Sequence, residues 1–278
     1  MSGKYQPIGV FDSGYGGLTV FKELIHELPQ YDYIYLGDNA RNPYGTRSFE
    51  VVFEYTWQAV QYLFEQECHL VVLACNTASA KALRNIQQKE LPGSYPSRRV
   101  LGVIRPSVEM IPEMTKTGHV GVLGTTGTVV SESYPMEIAK ISPDSPITVV
   151  QEACPMWVPI VENNLIESRG AAFFVEQNLA NLFAKDPLID TIILGCTHYP
   201  LLSGVIARFL PEGVRLLNQG PVIADKLGDY LNRHAEIEIN CTKSGRQDYF
   251  TTESTANFDQ LAKLFLGQEV HSQHVKLG

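Results

Sequence analysis

Short apolar runs alternate with longer amphipathic stretches along the 278 residues of the chain. The first apolar run, 8–11, is followed by apolar residues at helical spacing that end before Pro29. The alternation continues with apolar runs at 33–36, 70–74 and 100–104 and amphipathic stretches at 48–66 and 78–90. Strands that alternate with helices predict an α/β fold, in which helices cover a parallel sheet.

The pattern begins again after Pro106. Strands are predicted at 120–123, 147–150 and 191–194, with helical stretches after Thr128 and at 171–184. Three segments of the first half recur in the same order in the second half: GVFDSG (9–14) as GVLGTT (121–126), LACNT (73–77) as LGCTH (194–198), and RVLGVIRP (99–106) as VRLLNQGP (214–221). Repeated segments in the same order predict an internal duplication.

The duplication predicts two similar parallel-sheet domains. Residues 1–105 would form the first domain and residues 106–216 the second. The tail, 217–278, has helical stretches at 222–231 and 258–266 and strand-like apolar alternation near 236–240 and 249–251. It is too short for a third unit, so we expect it to return to the first domain and complete it.

Composition excludes several classes of protein. Hydrophobic residues make up 44% of the chain and charged residues 19%, which is typical of a globular protein. The formal net charge of -8, without any run of Lys or Arg, disfavours nucleic acid as a partner. Residues 1–6 lack the basic and apolar segments of a signal peptide, and no apolar run reaches ~18 residues, so we predict a cytoplasmic protein that does not enter membranes.

Five cysteines are spread along the chain without C-x-x-C spacing. This odd, sparse set argues against a disulfide framework and against a zinc cage. A single cysteine is usually buried and inert. We predict such a structural role for Cys68, Cys154 and Cys241.

Cys75 and Cys196 differ from the others because they occupy equivalent positions in the two repeats. Each follows an apolar strand and precedes small polar residues that open a helix. A thiol at a helix N-terminus ionises more easily and can act as a base or a nucleophile. If the duplicated halves face each other, two such thiols approach one ligand from opposite sides, so we predict a paired catalytic role for them.

Other polar residues also follow predicted strands, where parallel sheets bind ligands. They belong to the segments DSGYGG (12–17), GDN (37–39), CNT (75–77), GTTGT (124–128) and CTH (196–198). The glycines after Asp12 lack the G-x-G-x-x-G and G-x-x-x-x-G-K-[ST] spacings of nucleotide loops. Backbone N–H groups and hydroxyls in such loops suit carboxylates, so we predict a small anion as the ligand.

Four ionisable residues have alternative interpretations. Asp12 and Asp38 end strands, where a carboxylate either serves a site or caps the next turn. His198 is two residues from Cys196 and either pairs with a thiol or carboxylate in the cleft or packs structurally. A Cys-x-His metal site lacks a second ligand cluster here. Glu162 lies between an apolar stretch and two asparagines, and this pattern alone predicts a solvated side chain.

Taken together, these segments resemble the glutamate racemases of the cofactor-independent aspartate/glutamate racemase superfamily. The resemblance covers nearly the whole chain and rests on IGVFDSGYGG (8–17), GDNARNPYGTRS (37–48), ACNTASA (74–80), GTTGT (124–128), CPMWVPIVE (154–162) and GCTHYPLL (195–202). It implies two flavodoxin-like parallel-sheet domains related by pseudo-two-fold symmetry, with the active site between them.

The resemblance also assigns residues to roles. The implied catalytic residues are Cys75 and Cys196 as the acid/base pair, with Asp12, His198 and Glu162 in support. The implied substrate contacts are Asp12, Ser13, Tyr44, Gly45, Asn76, Thr77, Thr197 and His198. A small-molecule substrate, glutamate, is implied without a cofactor or a metal, and the family permits a homodimer.

The implied reaction interconverts L-glutamate and D-glutamate. Inversion requires one base that removes the α-proton and one acid that protonates the opposite face. By resemblance, Cys75 takes the proton of D-glutamate and Cys196 that of L-glutamate, and the D-glutamate supplies bacterial peptidoglycan synthesis. Three alternatives stay open: a racemase of aspartate or another amino acid, a cysteine hydrolase that uses Cys196 and His198, and a non-catalytic amino-acid-binding module.

Overall fold

The computed structural model describes residues 5–278. Residues 1–4 lie outside the described residues. They belong to the segment that is predicted to lack a signal peptide and to the first predicted domain. Within the described range the strands are β1 (Ile8–Asp12), β2 (Tyr33–Gly37), β3 (Leu70–Leu73), β4 (Arg99–Gly102), β5 (His119–Gly124), β6 (Thr148–Ala153), β7 (Thr191–Gly195), β8 (Arg215–Leu217), β9 (Gln247–Thr251) and β10 (Ser272–His274).

The first sheet has six strands in the order β10-β9-β2-β1-β3-β4, and all neighbouring strands are parallel. Its central strand, β1, is buried along its whole length. Strands buried on both faces are the continuous apolar runs of the sequence. The tail contributes β9 and β10, which extend this sheet beyond β2.

The second sheet has four parallel strands in the order β6-β5-β7-β8. This order matches β2-β1-β3-β4 of the first sheet strand for strand and is the flavodoxin-like arrangement. The registers correspond as well, since Phe11 lies opposite Leu73 and Leu123 opposite Leu194. The predicted α/β fold with two similar parallel sheets is confirmed, and the domain boundaries at 105/106 and 216/217 stay a prediction.

Helices connect the strands. In the described range they are α1 (Leu18–Glu27), α2 (Phe49–Glu65), α3 (Asn76–Lys81), α4 (Leu83–Asn85), α5 (Leu91–Ser94), α6 (Ile104–Glu109), α7 (Ile111–Met114), α8 (Thr126–Val130), α9 (Ser133–Ile141), α10 (Trp157–Glu162), α11 (Arg169–Lys185), α12 (Ser203–Ala207), α13 (Gln219–Arg233), α14 (Ala235–Glu238) and α15 (Thr255–Leu266). Serines cap the N-termini of α2 and α11, where Ser48 and Ser168 accept N–H bonds from Val51 and Ala171.

Two predicted elements are wrong. The stretch 78–90 is not one helix, because α3 ends at Lys81 and α4 and a π-helical segment follow. Ser79 hydrogen-bonds backbone groups of Leu73 and Val103, so the first turns are tied to the sheet edge and the regular helix is interrupted. The alternation at 236–240 belongs to α14 rather than to a strand. So few residues cannot distinguish one helical turn from a strand.

Loops at the carboxyl ends of the two sheets meet each other. Thr19 Oγ1 donates to the carbonyl of Thr197 at 2.9 Å, and Gly127 N donates to the carbonyl of Gly45 at 2.7 Å. The space between these loops is termed the cleft. Among residues 5–278, every helix is too short or too polar to span a bilayer.

Candidate active site

Cys75 lies on the first-sheet side of the cleft. It directly precedes α3 and caps that helix, since its Sγ accepts a hydrogen bond from Ala78 N at 3.4 Å. The Oγ of Ser13 lies 3.3 Å from the same sulfur. The thiol is buried and is held by one hydroxyl and one backbone N–H, as its predicted position at a helix N-terminus requires.

Cys196 lies on the second-sheet side, directly after β7, in the position that corresponds to Cys75 after β3. Its Sγ is 3.8 Å from Nδ1 of His198. The other ring nitrogen, Nε2, is 3.0 Å from Oε1 of Glu162. Thiol, imidazole and carboxylate therefore form a row in which the imidazole is the central group.

Electrostatic surroundings keep the thiol of Cys75 protonated. Burial, and then the negative charge of Asp12, raise its pKa to about 12 against the opposing hydrogen bond from Ser13. A negative charge at Cys196 would contribute to this increase as well.

The imidazole of His198 carries a positive charge at neutral pH. Burial alone would lower its pKa, but hydrogen bonds and negative charges from Cys196 and Glu162 raise it to about 10. An imidazolium beside a sulfur stabilises the thiolate form of that sulfur. The sulfur of Cys196 thus has a cationic neighbour, whereas that of Cys75 has neutral hydrogen-bond partners.

Asp12 ends β1, and its two carboxylate oxygens have different surroundings. Its Oδ2 accepts a hydrogen bond from Gly14 N at 2.9 Å and so caps the turn. Its Oδ1 is buried without a hydrogen-bond partner in the described part of the chain. Burial raises the pKa of Asp12, whereas the charge of His198 lowers it. A buried orphan acceptor normally has a ligand or water to pair with, so this oxygen is suited to a ligand ammonium group.

The loop after β1 packs closely against the opposite side of the cleft. A Cβ on Gly16 would overlap the imidazole of His198 and the hydroxyl of Thr197. A Cβ on Gly17 would overlap the side chain of Asp12. Gly16 therefore allows the two sides to approach each other, and Gly17 leaves room for the side chain of Asp12, which explains both glycines without a nucleotide.

Three threonine hydroxyls meet between the two sheets. Thr77 Oγ1 lies 3.0 Å from Thr125 Oγ1 and 3.5 Å from Thr128 Oγ1. All three belong to segments that the sequence places after strands at the cleft, but only Thr77 was predicted as a substrate contact, although Thr125 caps α8 at the end of β5. The repeat could have identified Thr125, because it is the counterpart of Ser13 at the offset of 112 residues that also relates Gly121 to Gly9.

Tyr44 and Gly45 lie on the loop that leads into α2. The hydroxyl of Tyr44 donates to Asp38, and its ring is buried. Asp38 also accepts from Arg41 Nε at 2.7 Å and from Thr252 Oγ1 at 2.9 Å, so this carboxylate anchors the loop. The hydroxyl of Tyr44 already donates its hydrogen to Asp38, so a substrate contact from Tyr44 would come from its backbone.

Glu162 is paired, and the prediction of a solvated side chain from its sequence pattern is wrong. Its Oε1 accepts from Asn42 Nδ2 at 3.0 Å and lies within hydrogen-bond distance of His198. The side chain is 21% exposed. Both partners come from distant segments of the chain, so the residues around Glu162 carry no sign of them.

The remaining predicted contacts, Asn76 and Thr197, are buried next to the two cysteines in sequence. Asn76 Nδ2 donates to Oε1 of Gln219 at 2.7 Å. No sequence pattern singled out Gln219. All of the predicted site residues therefore converge on the cleft, and their individual roles stay predictions.

The thiols of the other three cysteines make no hydrogen bond to the predicted site residues in the described part of the chain. All five cysteines of the described range are free and buried. The thiols of Cys154 and Cys241 contact the carbonyls of Glu152 and Ile237. A cavity of about 660 Å³, between parts of α3, α6, α9 and α13, contains none of the predicted site residues.

A family model described as Asp/Glu/Hydantoin racemase matches residues 8–227. The match includes both cysteines and all of the cleft loops described above. The chain belongs to this family.

Curated relatives match over nearly the whole chain. The glutamate racemase of Streptococcus agalactiae is 40% identical over 274 residues, which are 98% of this chain and 99% of that protein. A solved glutamate racemase isoform from Bacillus anthracis has a TM-score of 0.89 at 36% identity and covers 99% of this chain and 98% of its own. The solved glutamate racemase of Francisella tularensis, in complex with D-glutamate, has a TM-score of 0.86 at 32% identity and covers 98% of each chain.

Proposed function

We propose that this chain interconverts L-glutamate and D-glutamate without a cofactor. The observation that carries the proposal is the pair of buried thiols, Cys75 and Cys196, at matching positions of two sheets with the same strand order. Acid/base groups on both sides of one ligand provide what inversion at Cα requires. The relatives of similar length are glutamate racemases, which supports glutamate as the substrate.

In the L-to-D direction, Cys196 acts as a thiolate and removes the α-proton of L-glutamate. The electron pair of the broken C–H bond stays on the substrate as a carbanion. Cys75, a neutral thiol, gives its proton to the opposite face and forms the new C–H bond of D-glutamate. The step leaves a thiol at Cys196 and a thiolate at Cys75, and the roles reverse for D-glutamate.

Polar groups of the cleft stabilise the carbanion in this proposal. The side chains of Ser13, Asn76, Thr77 and Thr197 donate hydrogen bonds to the α-carboxylate, onto which the charge spreads. Burial strengthens these bonds because the local dielectric constant is low. The orphan Oδ1 of Asp12 accepts from the substrate ammonium group.

The proposal extends to cellular role and organisation. D-Glutamate would be supplied to peptidoglycan synthesis from the cytoplasm, where free glutamate is available. The chain would consist of a domain 1–105 completed by 217–278 and a domain 106–216, and it would assemble as a homodimer. Limited proteolysis tests the boundaries, and sedimentation velocity tests the assembly.

The central test is circular dichroism of purified protein, dialysed against a chelator, with L- or D-glutamate added alone. We expect the signal of either enantiomer to decay to zero, because the two enantiomers have equal free energies. Parallel reactions with L- and D-aspartate test the alternative racemase. Activity on aspartate alone, or activity that requires added metal or pyridoxal phosphate, would contradict the proposal.

A further inference from the structure

Asn76 belongs to a closed ring of three buried side chains. Asn76 Nδ2 donates to Gln219 Oε1 at 2.7 Å, Gln219 Nε2 donates to the Tyr134 hydroxyl at 2.8 Å, and that hydroxyl donates to Asn76 Oδ1 at 2.6 Å. None of the three residues is more than 2% exposed. Each donor has one acceptor within the ring, so the hydrogen bonds run in a single direction.

A contact outside the ring sets this direction. Ser107 Oγ donates to the carbonyl of Val103 at 2.7 Å, so its oxygen is left to accept from Gln219 Nε2, also at 2.7 Å. Gln219 must therefore turn its amide nitrogen toward Ser107 and its oxygen toward Asn76. A flipped Asn76 would place two carbonyl oxygens against each other. The orientation of the Asn76 amide is thus fixed by Gln219.

The ring and Ser107 together join four elements of the fold. Asn76 opens α3, Ser107 lies on α6, Tyr134 lies on α9 and Gln219 opens α13. The chain crosses between the two sheets through α6 after β4 and through α13 after β8. The hydrogen bond between Ser107 and Gln219 therefore links α6 directly to α13, the two helices through which the chain passes between the sheets. This bond lies next to Asn76.

We infer that Gln219 is a positioning residue for Asn76. One N–H of Asn76 Nδ2 is bonded to Gln219, and the fixed amide holds the other as a donor for the substrate carboxylate beside Cys75. The inference rests on the proposed function. Both enantiomers carry the same carboxylate, so Gln219 acts equally in both directions. This carboxylate is charged before the α-proton is removed, so loss of the Asn76 bond weakens substrate binding as well as stabilisation of the carbanion.

The test is the variant Gln219→Met, which keeps the length of the side chain and removes its amide. We expect KM for L- and D-glutamate to rise about tenfold, as expected for one misoriented hydrogen bond to a charged group, together with a decrease in kcat that is equal in both directions. Tyr134→Phe removes only the ring hydroxyl and should have the same effect. The double variant should be no worse than the stronger single variant, because both changes act through Asn76.

Tyr33→Phe is the matched control. Tyr33 is a buried tyrosine whose hydroxyl donates to the carbonyl of Leu28 at 3.0 Å, outside the cleft, so its removal should leave KM unchanged. The inference is overturned if Gln219→Met and Tyr134→Phe lower the melting temperature without raising KM, or if their effects on KM multiply. If Gln219→Met does not fold, Tyr134→Phe decides the outcome.

Wild-type racemisation is measured in the same experiment. If wild type does not racemise glutamate, the proposed function is contradicted, but the positioning role of Gln219 can still be tested. The measurement is then the rise in melting temperature that glutamate causes. This rise should be smaller in Gln219→Met and Tyr134→Phe than in wild type and Tyr33→Phe. Equal rises in all four proteins would overturn the inference.

Discussion

Cys75 and Cys196 occupy equivalent positions but have different neighbours. Cys75 contacts a hydroxyl and a backbone N–H, whereas Cys196 contacts an imidazole that is positively charged at neutral pH. A cation stabilises a thiolate more than a neutral donor does. The surroundings therefore keep Cys75 a neutral thiol, whereas Cys196 has a cationic partner.

Replacement of either cysteine by alanine should abolish racemisation, because one face of the substrate then lacks its acid/base group. Elimination of halide from a 3-halogenated glutamate needs only one base. We therefore expect Cys75→Ala to retain elimination for the L-enantiomer and Cys196→Ala for the D-enantiomer. Circular dichroism measures racemisation, and halide release measures elimination.

Cys241→Ala is the control for both variants, since it removes a buried thiol that is bonded to the carbonyl of Ile237 away from the cleft. It should keep both activities. A cysteine hydrolase built on Cys196 and His198 would not need Cys75. Near wild-type racemisation in either Cys75→Ala or Cys196→Ala would therefore exclude the two-base mechanism.

His198→Asn should affect the two directions unequally. The imidazolium stabilises the thiolate of Cys196, so its loss should slow proton removal from L-glutamate more than from D-glutamate. The equilibrium between enantiomers cannot change, so kcat and KM must shift together and keep the Haldane ratio at unity. Initial rates and loss of the α-deuteron from each labelled enantiomer measure the effect. An equal decrease for both enantiomers would make His198 a general binding residue instead.

Residue identity was predictable from sequence where the duplication supplied a second observation. Cys75 and Cys196 occupy equivalent positions in the repeat, so each supports the prediction that the other is a site residue. Both follow strands of parallel sheets, and this position predicts that their side chains lie in one site. Glu162 had no such counterpart, and its partners His198 and Asn42 come from distant segments. Pairwise contacts of this kind depend on the relative placement of two sheets, which local patterns do not encode.

At the scale of elements, the first turn of α8 contacts the loop of Tyr44 and Gly45 through Gly127. Its N–H donates to the carbonyl of Gly45, and a Cβ at this position would lie 2.8 Å from that oxygen. Gly127→Ala should therefore displace the loop that carries Tyr44 and Gly45 and raise KM for glutamate about tenfold. Steady-state kinetics in both directions measure this change.

Gly204→Ala is the matched control, because it also changes a helical glycine. An added Cβ at Gly204 meets nothing within 4 Å. This variant should keep KM unchanged and increase the unfolding free energy by up to ~1 kcal/mol, the difference in helix propensity. If both variants raised KM alike, the contact between Gly127 and Gly45 would not control the cleft.

Most strands and the longer helices were predictable, because burial on both faces gives the strands continuous apolar runs and one-sided burial gives α2 and α11 their helical spacing. The interruption after α3 was not, because Ser79 bonds to backbone groups of β3 and of Val103 that only the folded sheet brings near. The short α14 was misread because one turn contains too few residues to establish a period.

For the molecule as a whole, buried thiols make stability depend on pH. Burial raises the pKa of Cys75 and of Cys241 from an ordinary value of 9.0 to about 12. The native state then keeps protons that the unfolded state releases, so this stabilisation is complete below pH 9 and is lost as pH rises toward 12. Each thiol should lower the unfolding free energy by up to ~1.4 kcal/mol per pH unit in that range.

The unfolding free energy of Cys241→Ala should therefore fall less steeply than that of wild type between about pH 9 and about pH 12, by up to ~1.4 kcal/mol per pH unit. Urea unfolding at several pH values, followed by circular dichroism, gives both slopes. The two proteins should decline in parallel below pH 9. Parallel declines above pH 9 would show that Cys241 ionises as readily in the native state as in the unfolded state.

His198 lies on one side of the cleft only, so the two ends of a turnover are not equivalent. In the proposed mechanism, a molecule that has just released D-glutamate holds a proton on Cys196 and can accept only D-glutamate until that proton is exchanged with water. A molecule that has just released L-glutamate holds the proton on Cys75, among neutral hydrogen-bond partners instead of a cation. The protonation state of the empty protein therefore depends on which enantiomer it last released, and we expect the proton exchange with water that follows to differ in rate between the two directions.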